Sequence, residues 1–191
     1  MARGELRIVA GRWRGRKLRF PDNSELRPTT DRVRETLFNW LQADIAGSAC
    51  IDLFAGSGAL GFEAASRGAG NVLMIEQCSE TVAGIRKNVE MLGAERVQVF
   101  CENTIDFLQD ARDDRYSKAF DIVFMDPPYH SDLLGECFEL LEKGQWLANH
   151  AKIYVEYDVR SSLSKVPDGW FCLKNKKAGQ VGYCLYQKNG S

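Results

Sequence analysis

Apolar residues along this chain keep two different rhythms, and the rhythm changes at residue 49. Before it, LRIVAGRWRGRKLRF (6–20) carries two short strand-like pieces around a tip with Gly11 and Gly15, the pattern of a β-hairpin. A linker with Pro21 and Pro28 follows. The stretch TTDRVRETLFNWLQADIAG then sets Val33, Leu37, Phe38, Leu41 and Ile45 on one helical stripe. Thr29 or Thr30 serves as N-cap there, Asp31 falls in the first turn and Gly47 lies past the end. This predicts an amphipathic helix laid on something larger.

From residue 49 the chain alternates apolar strands with helices. The strands are ACIDLF, NVLMIE, RVQVF, FDIVFMD and KIYVEY, and the helices fall around 58–68, 79–92, 103–111 and 131–144. Strands that are apolar nearly throughout, separated by helices of about ten residues, imply a parallel sheet covered on both faces. The closing stretch GWFCLKNKKAGQVGYCLYQK has no helix between its two strands and reads as an antiparallel hairpin added at the edge. The expectation is a doubly wound α/β fold of seven strands. A basic N-terminal extension and linker (1–28) precedes the main domain (29–191).

At 191 residues the chain is long enough to bury one large core without staples. No apolar run reaches membrane-spanning length, and the basic N-terminus has no apolar stretch behind it. A cytoplasmic protein is expected. The six cysteines are scattered, without a C-x-x-C pair, and the only histidines are His130 and His150, so no metal site is expected and most cysteines are assigned to a reduced core. Net charge is −1 but unevenly spread: residues 1–20 hold seven Lys/Arg against one acid, and the remainder holds 18 against 25. A basic tip on an acidic body points to nucleic acid as partner of the tip.

Two stretches carry candidate chemistry. In IDLFAGSGALGFEAA, Gly56, Gly58 and Gly61 form a G-x-G-x-x-G between a strand and a helix, which lets a ligand approach the backbone and the helix N-terminus. The same spacing fits a nicotinamide dinucleotide. Asp52, four residues earlier, would face a pyrophosphate badly and suits the cationic S-adenosylmethionine better. Glu76 ends the next strand, where an acid can grip both ribose hydroxyls. Asn103 follows the third strand and is placed either to bond the adenine or, with Thr104 beside it, to cap a helix.

The second stretch is FDIVFMDPPY (120–129), an apolar strand running into an acid, two prolines and a ring. It resembles the D/N-P-P-Y/F signature of class I methyltransferases that modify exocyclic amines of nucleobases. That resemblance implies that Asp126 and the Pro127 carbonyl accept hydrogen bonds from the target amine and that Tyr129 stacks on the base. An amine whose lone pair is conjugated into the ring needs two acceptors to draw it toward a tetrahedral geometry before it can attack.

Taken with RIVAGRWRGRKL, RPTTDRVRETLFNWL and DLFAGSGALGFEAASRGA, the chain is similar along nearly its whole length to the bacterial RsmD family. The resemblance implies S-adenosylmethionine as cofactor and the exocyclic N2 of a guanine in small-subunit (16S) ribosomal RNA as target. It places Asp52, Gly56 and Gly58 at the methionine end of the cofactor, Glu76 at its ribose and Asn103 near its adenine, with Phe54 and Thr104 also among the cofactor-binding residues. In this picture Arg12, Arg14, Arg16 and Lys17 grip phosphates, while Trp13 either stacks on an unpaired base or staples the hairpin to the domain. Arg27 and Arg32 extend the basic surface, and KNKKAG (174–179) forms a second basic loop. A partly assembled small subunit is the expected substrate, acted on by a monomer without an obligate protein partner.

The rivals are an N6-adenine methyltransferase, a nicotinamide oxidoreductase, and a non-catalytic RNA-binding assembly factor. Cytosine-C5 chemistry is disfavoured because none of the five prolines precedes a cysteine.

Overall fold

A computed structural model describes residues 3–21, 30–110, 120–128, 133–161 and 163–190. Two compact units divide the chain, residues 1–102 and 103–191.

In the first unit, β1 (Arg3–Arg7) and β2 (Lys17–Pro21) pair antiparallel, with Arg7 opposite Lys17. This is the N-terminal hairpin the pattern predicts. Next come α1 (Asp31–Trp40), β3 (Ala49–Asp52), α2 (Ala59–Ser66), β4 (Asn71–Glu76), α3 (Ser79–Leu92) and β5 (Val97–Cys101). The strands β3, β4 and β5 are parallel, with β4 between the other two.

Thr30 is the N-cap of α1, its hydroxyl accepting from the Val33 amide. The helix is shorter than its apolar stripe. It ends at Trp40, yet Leu41 and Ile45 stay buried because the following turns keep them on the core side. Arg34 of α1 is itself buried, and its guanidinium donates to the Arg7 carbonyl at 2.9 Å and to Asp31 at 2.5 Å. A buried charge needs such partners.

The second unit holds α4 (Thr104–Gln109), β6 (Phe120–Met125), α5 (Leu133–Lys143), β7 (Leu147–Asp158), β8 (Trp170–Ala178) and β9 (Val181–Lys188). Its strand order is β6-β7-β9-β8: β6 and β7 are parallel, and the last two strands run antiparallel. Trp146 packs against Phe107 and Phe120, with ring centroids at 5.1 and 6.4 Å, and donates its indole N–H to the Leu108 carbonyl. The 174–177 part of the supposed second basic loop is instead the body of the outermost strand β8, where Lys174, Lys176 and Lys177 are exposed beside Phe171 and Leu173.

After the N-terminal hairpin, the seven strands β3 to β9 with their flanking helices are mostly parallel and close on an antiparallel hairpin, as the sequence predicts. Three of the six cysteines, Cys50, Cys137 and Cys184, are buried; Cys101 and Cys172 are exposed, and all six are free thiols.

Candidate active site

The glycine loop is built at the carboxyl end of β3. Asp52 is the last residue of that strand and is buried. The chain then turns sharply, with Gly58 N–H donating to the Ala55 carbonyl at 2.7 Å, and both Gly56 (φ 51°) and Gly58 (φ 78°) occupy the left-handed region. Gly58 is the N-cap of α2 and has no side chain with which to cap it. Asp52 fills that role from the strand: one of its carboxylate oxygens accepts the Gly61 amide, a first-turn donor, at 3.2 Å. The third glycine is needed for packing, since a Cβ on Gly61 would lie 2.3 Å from the Met74 methyl of β4.

Glu76 ends β4, half-buried, and spans two backbone amides. One oxygen accepts Gly56 N–H at 2.9 Å and the other accepts Cys78 N–H at 2.8 Å. The carboxylate therefore braces the glycine loop against the entry to α3. Each oxygen keeps further acceptor capacity. Phe54 is half-buried in the same loop. Two acids and a glycine turn make an acceptor-rich cradle that suits a ligand with a cationic end and a diol, and suits a pyrophosphate poorly.

Asn103 and Thr104 follow β5 and open α4. Asn103 is exposed, and its side-chain oxygen accepts from the amides of Ile105 at 2.8 Å and Asp106 at 3.4 Å, so of its two expected roles the helix cap is realised for that oxygen. Thr104 is buried.

In the second unit β6 runs apolar to Met125 and delivers Asp126, half-buried, with Pro127 buried and Pro128 exposed. Tyr129 and Arg27 lie outside the described residues. Phe124 and Met125 pair with Tyr154 and Val155 of β7, so Asp126 and Glu156 each follow one step beyond the last pair. Tyr154 donates its hydroxyl to Glu156 at 2.7 Å. Burial first, then the Glu156 charge, and further down the charge of Asp126, hold that phenol well above its ordinary range. Nothing in the KIYVEY pattern marks Tyr154 and Glu156 as neighbours of the motif; parallel pairing of the two strands brings them there.

On the hairpin, Arg12, Arg14, Arg16 and Lys17 are exposed, as is Arg32 on α1. Trp13 is buried, 9% exposed. The Arg12 guanidinium lies 5.8 Å from the centre of the Trp13 ring. Three residues that sequence reasoning passed over hold the hairpin in place, Glu63 and Ser66 of α2 and Asn88 of α3, and Arg67 just past α2 bonds Glu63 in turn. A single acid within the otherwise uncharged stretch ALGFEAAS is the signal that was there to find.

A mostly parallel α/β fold with a glycine loop after its first parallel strand and an Asp-Pro-Pro turn after its fourth defines a class I S-adenosylmethionine-dependent methyltransferase. Comparison with known proteins makes the assignment narrower. Residues 6–187 match the family described as conserved hypothetical protein 95, which is the RsmD family, and the chain belongs to it. It is 48% identical over 185 residues to ribosomal RNA small subunit methyltransferase D of Escherichia coli, covering 97% of this chain and 91% of that one. The Haemophilus influenzae protein of the same name is 45% identical over 188 residues, covering 97% and 95%. Among solved structures, the putative methyltransferase yhhF from Escherichia coli superposes with a TM-score of 0.89 at 47% identity, covering 98% of this chain and all of that one.

Proposed function

We propose that this protein transfers a methyl group from S-adenosylmethionine to the exocyclic N2 of a guanine in 16S ribosomal RNA. The observation that carries the reading is the Asp-Pro-Pro turn at the end of β6, an acid and a fixed carbonyl side by side at a strand end.

S-adenosylmethionine, when bound, supplies an electrophilic methyl on a sulfonium. Glu76 accepts the ribose hydroxyls, and it is already oriented by the Gly56 and Cys78 amides. Asp52, with Gly56, Gly58 and Phe54, lines the methionine end, while Asn103 and Thr104 stand at the adenine. Asp126 and the Pro127 carbonyl accept the two N–H groups of the guanine amine, pulling nitrogen toward a tetrahedral shape and exposing its lone pair. No strong base is required, because the amine becomes acidic once it carries the positive charge. The paired prolines fix the turn before substrate arrives. Tyr129 stacks on the base, worth about 1–3 kcal/mol.

Arg12, Arg14, Arg16 and Lys17, with Arg27 and Arg32, form the RNA grip. An assembling small subunit in the cytoplasm presents the guanine, and a monomer is sufficient. Methyl transfer from labelled cofactor to small-subunit particles and to protein-free RNA, followed by nucleoside mass spectrometry, tests the reaction and its substrate. N2-methylguanosine is expected, with particles the better substrate. Label in N6-methyladenine, or none with cofactor bound, would overturn the reading.

A further inference from the structure

The hairpin tip is fastened to the cofactor-loop helix almost entirely through its own backbone. The buried Glu63 carboxylate accepts the amides of Val9 at 2.8 Å and Ala10 at 3.0 Å, and takes a third bond from Arg67 at 2.8 Å. Ser66 works both ways: its hydroxyl donates to the Ala10 carbonyl at 2.6 Å and accepts the Trp13 amide at 3.0 Å. Its own carbonyl accepts the Arg12 amide at 2.7 Å. Four further amides close the tip on itself, Ile8 to Arg16, Gly15 to Ile8, Arg14 to Gly11 and Arg16 to Trp13. Contact is so close that a Cβ on Gly11 would sit 2.0 Å from the Ser66 carbonyl oxygen. Behind the tip, Asn88 of α3 exchanges bonds with the main chain of Arg19, which fixes β2.

A helix of eight residues is about 12 Å long. At one end of α2 lies the glycine loop and at the other the arginine-bearing tip. We infer that Glu63 and Ser66 are positioning residues for RNA: they hold Arg12, Arg14 and Arg16 at a fixed distance from the cofactor loop, so that phosphates gripped by the tip are registered against the methyl donor. This rests on the tip being the RNA grip. The physical reason is that exposed arginines on a tethered loop lose little entropy on binding, whereas the same arginines on a loosened loop must be ordered by the RNA itself.

Ser66→Ala is the first test, because it removes two bonds without stranding a buried charge; Glu63→Gln, which keeps one acceptor oxygen, is the second. Each is measured beside the Arg12→Ala, Arg14→Ala, Arg16→Ala triple variant on the full chain, at a temperature where melting curves show all of them folded. For Ser66→Ala we expect the KM for RNA to rise at least fivefold, the cofactor Kd to stay within twofold, and the slope of log Kd on log salt to become shallower. All arginines are still present in that variant, so a shallower slope reports fewer engaged phosphates. A drop in melting temperature with RNA affinity and salt slope unchanged overturns the inference, as does equal weakening of RNA and cofactor. Unchanged RNA binding in the triple variant overturns the grip itself; weakened binding there with Ser66→Ala and Glu63→Gln unaffected overturns only the positioning role.

Discussion

Glu76→Gln isolates what the carboxylate at the end of β4 contributes. In the native protein its two oxygens take the Gly56 amide at 2.9 Å and the Cys78 amide at 2.8 Å. Glutamine offers one oxygen and one NH2, so one amide faces another donor and the charge is gone. A hydrogen bond to a charged group contributes about 1.5–3 kcal/mol net. Losing one such bond in the free protein should lower the melting temperature by about 3–12 °C for a chain of this size. Losing one of two charged acceptors for the ribose diol should weaken cofactor binding by about 10- to 150-fold. Calorimetric titration with S-adenosylmethionine reads the second effect, and a melt of the cofactor-free protein reads the first. Glu76→Asp keeps the charge but is one methylene too short to reach both amides, and should fall between. If the Gln variant melts early yet binds cofactor within twofold of wild type, the carboxylate is only a brace for the loop and its assignment to the ribose is wrong.

Asp126→Ala should abolish methyl transfer while leaving cofactor affinity within a few fold, by radiolabel assay and calorimetry; a large loss of cofactor binding would refute the division of labour between the two stretches. The triple arginine variant should lose about 2 in the slope of log K against log salt, from fluorescence anisotropy with labelled RNA, if each arginine engages one phosphate. Gly58→Ala forces a side chain into φ +78° with its Cβ 2.7 Å from the Phe62 ring, so it should destabilise by at least about 1–2 kcal/mol in urea melts. Burial, aided by the neighbouring Glu136 charge, pushes the Cys137 thiol up to about 12. Because the unfolded thiol ionises near 8.5, stability from this group is intact below that pH and is lost as pH rises toward 12. Urea midpoints should therefore fall between pH 8 and 10, and fall less in Cys137→Ala.

The sequence made the strands and the chemistry legible for a simple reason: both are local. Residues 72–75 of β4 and 122–125 of β6 are apolar and buried without a break, as strands covered on both faces require, and α3 runs from Ser79 to Leu92 as its periodicity dictates. β7 exceeds the expected KIYVEY by six residues, five at its start and Asp158 at its end. Its first part, LANHA, is broken by His150 at φ 64° and by a register shift against β6, so polar residues enter a strand that no simple alternation describes. What stayed hidden at the site was of another kind. Asp52 capping α2, Glu76 bracing two amides and Glu63 docking the hairpin all use backbone donors, which every residue except proline possesses and no side-chain pattern marks.

The main-chain fastening of the hairpin tip separates what holds it from what it displays. At Arg12 and Arg14 the side chains project outward while their amides carry the attachment and the turn. Almost any amino acid but proline could stand at those two positions without unseating the tip, whereas Gly11 and Trp13 tolerate little. Such a surface can be rewritten one residue at a time at small cost to the fold. With the tip as the RNA grip proposed above, it is the place at which to engineer preference for a new RNA.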